Sequence, residues 1–347
     1  MIIGACGYGG TGSSAILDFM KEIKDTQVFD RSEFQYAFKV DGLQDLEYHL
    51  VTKFSRQMSG DQAIKRFKYA VKYANTPIVK KPLKNPKKYI EISNKYVDSL
   101  VQATWLGIDN ADFETGNLLK SIIVLAYKKI IIRYFESLTG KLFKLWPMRT
   151  MYLSINPEDF YKKTKDYTNE ILREMGADFK KKIVLDQPFE GNDPTQSFPF
   201  FENPIAFVID RDPRDLYLAA SYQWPLDGTF MPRRDPVAFV QYYKRQRLNQ
   251  NDLNLKKDVM FIRLEDMIFN YDDSRLKILD FLNLEKREHL YPKKYFNPEI
   301  SMKTVQLYKK IPGHDDEVKF IEDQLADFLF PFEDYEISKY NTDLTWF

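Results

Sequence analysis

Cysteine occurs once in this chain, at Cys6, and histidine three times, at His49, His289 and His314. One cysteine excludes an internal disulfide framework and favours a reducing compartment. No Cys, His or carboxylate cluster has metal-ligand spacing, and no histidine has the partner pattern of a triad, so a metal-free site is expected. Net charge is equally scarce. Lys and Arg number 51 against 50 Asp and Glu, leaving +1 over 347 residues, which argues against a general nucleic-acid binder. Long uncharged apolar runs are missing too. Leu118 to Leu145 comes nearest, but Lys128, Lys129 and Arg133 break it, so a membrane span is excluded. An amphipathic helix packed on the core is expected there, with at most weak contact with a membrane surface. No leader peptide precedes the first apolar stretch, and a cytoplasmic location is expected. Repeats and low-complexity linkers are absent.

What is present starts at the N-terminus. Met1 to Cys6 reads as a buried strand, and Ile16, Leu17, Phe19, Met20 and Ile23 recur at helical spacing. Between them lies Gly7-Tyr8-Gly9-Gly10-Thr11-Gly12-Ser13-Ser14. Strand, glycine loop and helix form a cradle for an anion, because glycine lets the backbone approach closely and a helix N-terminus offers free N–H donors. Gly7-x4-Gly12 has the spacing of a P-loop, yet the lysine that should follow is Ser13. Without that cation the loop is a poor site for the β and γ phosphates of a nucleoside triphosphate. Gly9, Gly10, Thr11, Gly12, Ser13 and Ser14 still suit a smaller anion. Gly7-x-Gly9-x-x-Gly12 also fits a dinucleotide fingerprint, with Asp30 where a ribose-binding acid would stand. A tight turn packing a helix on a sheet is the third reading of the same residues.

The second half carries another strand-end signal. Pro204 to Ile209 is continuously apolar, as in a buried parallel strand, and runs into Asp210-Arg211-Asp212-Pro213-Arg214-Asp215. Pro213 suits the first turn of a helix, with Asp212 and Asp215 at its positive end. Arg211 falls at the carboxyl end of the strand, where open α/β sheets bind ligands, and its planar fork suits a phosphate.

With these residues the chain resembles the sulfotransferases that use 3′-phosphoadenosine-5′-phosphosulfate (PAPS), as a bacterial, carbohydrate-type member with a divergent first loop. Val259 to Met267 followed by Leu276 to Leu284 also fits that family's late strand and closing helix. The resemblance covers about the first 25 residues and most of 183–330. It implies an α/β fold with a P-loop-like, mostly parallel central sheet, helices on both faces and a helical insertion. Residues 1–347 would form one domain, with 40–150 as the insertion walling the acceptor pocket. It implies transfer of a sulfuryl group to a glycan, polysaccharide or other small-molecule hydroxyl, without a metal. By resemblance the glycine loop would hold the 5′-phosphosulfate, while Arg211 and a helix serine would hold the 3′-phosphate. The rivals are a P-loop kinase, a nicotinamide dehydrogenase and a non-catalytic nucleotide- or glycan-binding protein. Oligomeric state is not encoded in any motif.

The family pattern is broken in two places. The basic residue usual in the first loop is Gly10, and the serine eight positions beyond the strand-end Arg is Ala219. Ser221 follows two residues later, about 200° around the helix, and is the serine assigned here. The general base is assigned to Asp186, which ends the apolar run Lys182 to Leu185. The plainer reading of Asp186 is a turn residue before Pro188. Lys303, in the basic stretch Ser301 to Lys310, is placed over the 3′-phosphate, with Lys309 and Gly313 nearby. From Lys65 to Lys88 basic residues recur without an acid; a solvated face is expected rather than a track for a polyanion. Arg233 and Arg234 are surface charges or contacts for an acidic acceptor.

Overall fold

The computed structural model describes residues 1–55, 59–73, 85–108, 118–141, 148–224 and 230–335. These divide into two units, one within 1–39, 77–86 and 164–347 and one within 40–76 and 87–163.

Among the described residues seven strands form in chain order: β1 (Ile2–Gly7), β2 (Thr26–Phe29), β3 (Ala103–Ile108), β4 (Met148–Leu153), β5 (Lys182–Asp186), β6 (Pro204–Asp210) and β7 (Val259–Arg263). In the first unit all pairings are parallel and the order is β2-β5-β1-β6-β7. β1 is buried at every residue, as a central strand covered on both faces must be. Helix α1 (Ser13–Lys21) buries Ala15, Ile16, Leu17, Phe19 and Met20. They pack on Ile3, Ala5, Val184, Phe207, Ile209 and Ile262, which share one sheet face because strand side chains alternate.

The strand order settles the fingerprint ambiguity. In the dinucleotide fold the second strand lies beside the first, bringing its terminal acid to the glycine loop. Here β5 stands between β1 and β2. Asp30 therefore does not follow a strand adjacent to β1, and its carboxylate meets Lys21 Nζ at 2.7 Å. The chain leaves β1 toward β2 on one side and later builds β6 and β7 on the other, so the reversal falls at β1. Ligands bind beyond the carboxyl ends of strands at such a reversal, where β1 gives way to the glycine loop.

The second unit holds the helices Ser59–Tyr73 and Pro86–Ser99 together with an antiparallel pair, β3 and β4; it is not purely helical. Asp61 is buried there and accepts from Tyr152 N at 2.9 Å and Lys65 Nζ at 2.7 Å. Arg66 pairs with Asp41 and Asp45, and Lys68 with Asp98. The first part of the basic run is therefore neutralised within its own unit; Lys80, Lys81 and Lys84 lie outside the described residues. Of the expected helix 118–145, residues 142–145 also lie outside them. The described part does not pack on a core, since Val124 is the one buried residue of Leu118–Ala126. Among the described residues no helix is long and apolar enough to cross a membrane.

Candidate active site

A cavity of about 380 Å³ lies beyond the carboxyl ends of β1 and β6. Gly10, Gly12, Ser13 and Ser14 line it from one side and Arg211 from another, with Trp224 and the segment 295–304 completing the wall. Gly12 precedes α1 at φ 108°, a conformation open to glycine, and no side chain caps the helix N-terminus. Ala15 N donates to Gly12 O at 2.9 Å, and the N–H groups of Ser13 and Ser14 are left for a ligand. Thr11 does not join them. Its hydroxyl accepts from Tyr8 N at 3.1 Å and donates to Ile209 O at 2.8 Å, with 1 % of the residue exposed. Thr11 therefore ties the loop to β6, and Ser13 and Ser14 supply the hydroxyls of the cavity wall.

Arg211 is 5 % exposed, with one guanidinium nitrogen donating to Thr304 O. Its buried Nε has no hydrogen-bond partner. An orphaned buried N–H of a charged group is costly, and the few that occur mark ligand sites or strain. The rest of the acidic and basic run is committed to structure. Asp212 caps the helix Pro213–Leu218 and receives Arg214 through Nε and Nη2, at 2.9 and 2.8 Å. Arg214 extends to Glu322 at 3.0 Å. Asp215 accepts Gln306 N at 2.7 Å and Leu307 N at 2.6 Å. Burial, with Asp212 nearby, pushes its carboxyl up. Lys310 Nζ donates to Met302 O and Val305 O at 3.1 and 2.8 Å. The turn bearing Thr304 is thus held from both ends.

A second buried carboxylate sets the neighbouring wall. Glu22, just past α1, accepts Tyr295 N at 2.8 Å, Phe296 N at 3.0 Å and Lys293 N at 3.2 Å. His289 Nε2 meets it at 2.6 Å. His289 Nδ1 accepts from Arg275 Nε at 2.8 Å, which leaves the ring hydrogen on Nε2, facing Glu22.

The structure brings Gly10, Gly12, Ser13, Ser14 and Arg211 to one cavity and leaves the other assigned residues off its wall. Gly9 lies under the Phe230 ring. Asp186 ends β5 and accepts from Ser13 Oγ at 3.4 Å, one step behind the wall. Burial, then the charge of Glu33, pushes its carboxyl up to about 6. Ser221 is buried in a π turn, Ala219–Gln223, where its hydroxyl accepts Arg234 N at 3.0 Å. Lys303 is exposed, and its carbonyl accepts Lys310 Nζ at 3.4 Å. Arg233 donates to Trp224 O at 2.9 Å and Arg234 to Ser221 O at 3.3 Å. Sequence reasoning missed the wall 295–304 and the part played by Trp224. Among the described residues no group of three or more His, Cys, Asp or Glu stands where it would hold a metal.

Trp224 explains why the loop lacks a side chain at position 10. A Cβ on Gly10 would sit 2.0 Å from Trp224 Cη2, and Gly10 has φ 68°. Trp224 in turn stacks on Phe230, with ring centroids 5.8 Å apart. Gly10→Ala is expected to cost about 2–5 kcal/mol, part from the left-handed backbone and part from the ring. In a Trp224→Ala background only the backbone part should remain; a double-mutant cycle by thermal melting measures the difference.

No protein-family model and no curated protein matches the chain. Among solved structures, it is similar to the sulfotransferase domain of the Synechococcus PCC 7002 olefin synthase, with 12% identity, TM-score 0.41, and 95% of this chain and 94% of that chain covered. The sulfotransferase domain of the curacin biosynthetic pathway is similar at 14% identity and TM-score 0.39, covering 94% of this chain and 97% of that chain. A retinol dehydratase solved with androsterone and the inactive cofactor PAP is similar at 12% identity and TM-score 0.34, covering 95% of this chain and 82% of that chain.

Proposed function

We propose that this protein is a sulfotransferase that moves a sulfuryl group from PAPS to an acceptor hydroxyl. The observation that carries the reading is the bare, buried Nε of Arg211 in the same cavity as the uncapped N-terminus of α1. Two anion sites in one cavity suit a nucleotide phosphorylated at two separate positions. The residue after Gly12 is Ser13 rather than the lysine of a triphosphate site, which weighs against a kinase.

The residues present fit the donor. Gly10, Gly12, Ser13 and Ser14 would hold the 5′-phosphosulfate through backbone N–H groups and hydroxyls, and Arg211 the 3′-phosphate through its fork. Bound there, the donor supplies the sulfuryl group and a bisphosphate leaving group. Gly9 and Thr11 shape the loop, and Trp224 covers it. Transfer of this kind rests on positioning and on electrostatic stabilisation, as phosphoryl transfer does. Asp186 is the proposed base that takes the acceptor proton. Its carboxyl, raised to about 6, is ionised above that pH and protonated below it, so a rate limited by this base should rise with pH through about 6. Asp186→Asn is expected to remove that limb and lower kcat by roughly 10²–10⁴-fold, read from a pH–rate profile with labelled donor. Ser221 and Lys303, in their present positions, would act through the segments they brace. The proposed acceptor is a glycan or polysaccharide hydroxyl, with residues 40–150 contributing to its pocket, and the proposed location is cytoplasmic.

A second reading is a nucleotide-binding protein that performs no transfer. It is favoured by one observation: Trp224 fills the space where a loop cation would stand over the leaving oxygen. One experiment tests both readings. Calorimetric titration with 3′,5′-adenosine bisphosphate, ATP and NAD, followed by turnover with labelled PAPS, should give selective binding of the bisphosphate and transfer to an acceptor. Selective binding without turnover on any acceptor supports the second reading; preference for ATP or NAD overturns the sulfotransferase reading.

A further inference from the structure

Among the described residues, the largest run of exposed apolar side chains lies far from this chemistry in sequence, in the second unit. Leu118–Ala126 is α-helical, Tyr127–Ile132 a π turn, and Arg133–Thr139 α-helical again. Leu119, Ile122, Ile130, Tyr134 and Leu138 are 70 %, 53 %, 66 %, 65 % and 65 % exposed. In an unbroken α-helix this segment would be a poor amphipath, because Lys129 and Arg133 would fall among the apolar residues. The π turn changes the phase. At about 100° per residue in the α turns and roughly 80° in the π turn, Leu119, Ile122, Ile123, Ile130, Tyr134 and Leu138 fall on one side. Lys120, Lys128, Lys129 and Arg133 fall on the other, with a single acid, Glu136, and with Leu125 and the buried Val124, which turns that side toward the protein.

We propose that residues 118–139 bind the surface of an anionic membrane, lying in the headgroup region with the apolar side down. An apolar face opposite a Lys- and Arg-rich face is the pattern of an interfacial helix. Lys129 and Arg133 reach back to the headgroups while their stems cover the acyl boundary. Charge selects the occupant: four cations against one acid complement anionic lipid, whereas a second copy of this chain would bring the same four cations against them. The length, roughly 30 Å, is compatible with spanning, but the charged side forbids it.

Co-sedimentation of the full chain with phosphatidylcholine vesicles, with and without phosphatidylglycerol, is the test. Binding is expected to be at least tenfold stronger with the anionic lipid and to weaken with added salt. Ile123→Asp/Ile130→Asp should abolish it, and Lys129→Glu/Arg133→Glu should remove the preference for phosphatidylglycerol. Both variants change exposed residues, and unchanged melting curves would establish that they fold. Absence of vesicle binding by wild type overturns the proposal, as does binding that survives Ile123→Asp/Ile130→Asp. A concentration-dependent dimer in light scattering that Ile130→Asp dissociates, with no vesicle binding, would overturn it in favour of a second copy.

Discussion

Arg211→Ala is expected to weaken binding of 3′,5′-adenosine bisphosphate by about 2–4 kcal/mol, roughly 30- to 700-fold in Kd. The size follows from burial. A 5 % exposed guanidinium facing a phosphate forms charge-assisted hydrogen bonds in a weakly screened setting, and truncation leaves the bound phosphate without them. Arg211→Lys should recover only part of the affinity, because a point charge lacks the fork that places Nε and an Nη on two oxygens. Weak binding of ATP or NAD, which lack a phosphate at the 3′ position, should change little. Equal affinity of wild type and Arg211→Ala for the bisphosphate would remove Arg211 from the site and with it the argument for PAPS.

Arg247→Met should be the most destabilising of the substitutions considered. Arg247 Nη2 and Nε meet the two oxygens of Asp210 at 2.6 and 2.8 Å, and neither side chain is exposed. The guanidinium also lies over the Tyr243 ring at 3.3 Å and the Tyr8 ring at 4.2 Å. It therefore braces both the end of β6 and the glycine loop. Burial alone would push the Asp210 carboxyl up; Arg247 opposes it and holds the carboxyl below its usual range. Removing one partner of a buried pair costs about 3–5 kcal/mol, a fall in Tm of roughly 10 °C for a unit of this size. The sign with pH is fixed. Wild type draws stability from ionised Asp210 above its unfolded pKa and loses it only as pH falls through the lower folded value. In the variant, ionised Asp210 is buried against no cation, so protonation relieves it. The deficit between variant and wild type should shrink from pH 7 to pH 4; a constant deficit would mean that lost packing, not lost charge, is responsible.

Local features were legible in the sequence because each rests on neighbouring residues. Met1 to Cys6 reads as a buried strand from its own side chains, and Pro204 to Ile209 likewise. Arg211 follows from its position just past such a strand. Other features depend on partners remote in the chain. Glu22 holds Tyr295 N across 273 residues, and nothing near Glu22 announces it. The vacancy at position 10 reads as a missing cation until Trp224 is seen over it. Nothing near Ser221 in the sequence announces the π turn Ala219–Gln223, in which its hydroxyl accepts Arg234 N. The order β2-β5-β1 is likewise invisible locally, since the β5 that enters between its neighbours lies some 150 residues beyond them.

The carboxylate of Glu22 has a kinetic and entropic consequence. Three amides of residues 293–296 are already satisfied by it, so the wall holding Tyr295 and Phe296 does not have to be ordered by an incoming nucleotide. Fixing a residue's backbone costs about 1–2 kcal/mol, and that cost is met at folding instead of at binding. A ligand entering such a pre-shaped recess keeps more of its contact energy as affinity. Because α1 carries the anion-binding loop at one end and this anchor at the other, floor and wall of the recess are set by one rigid rod.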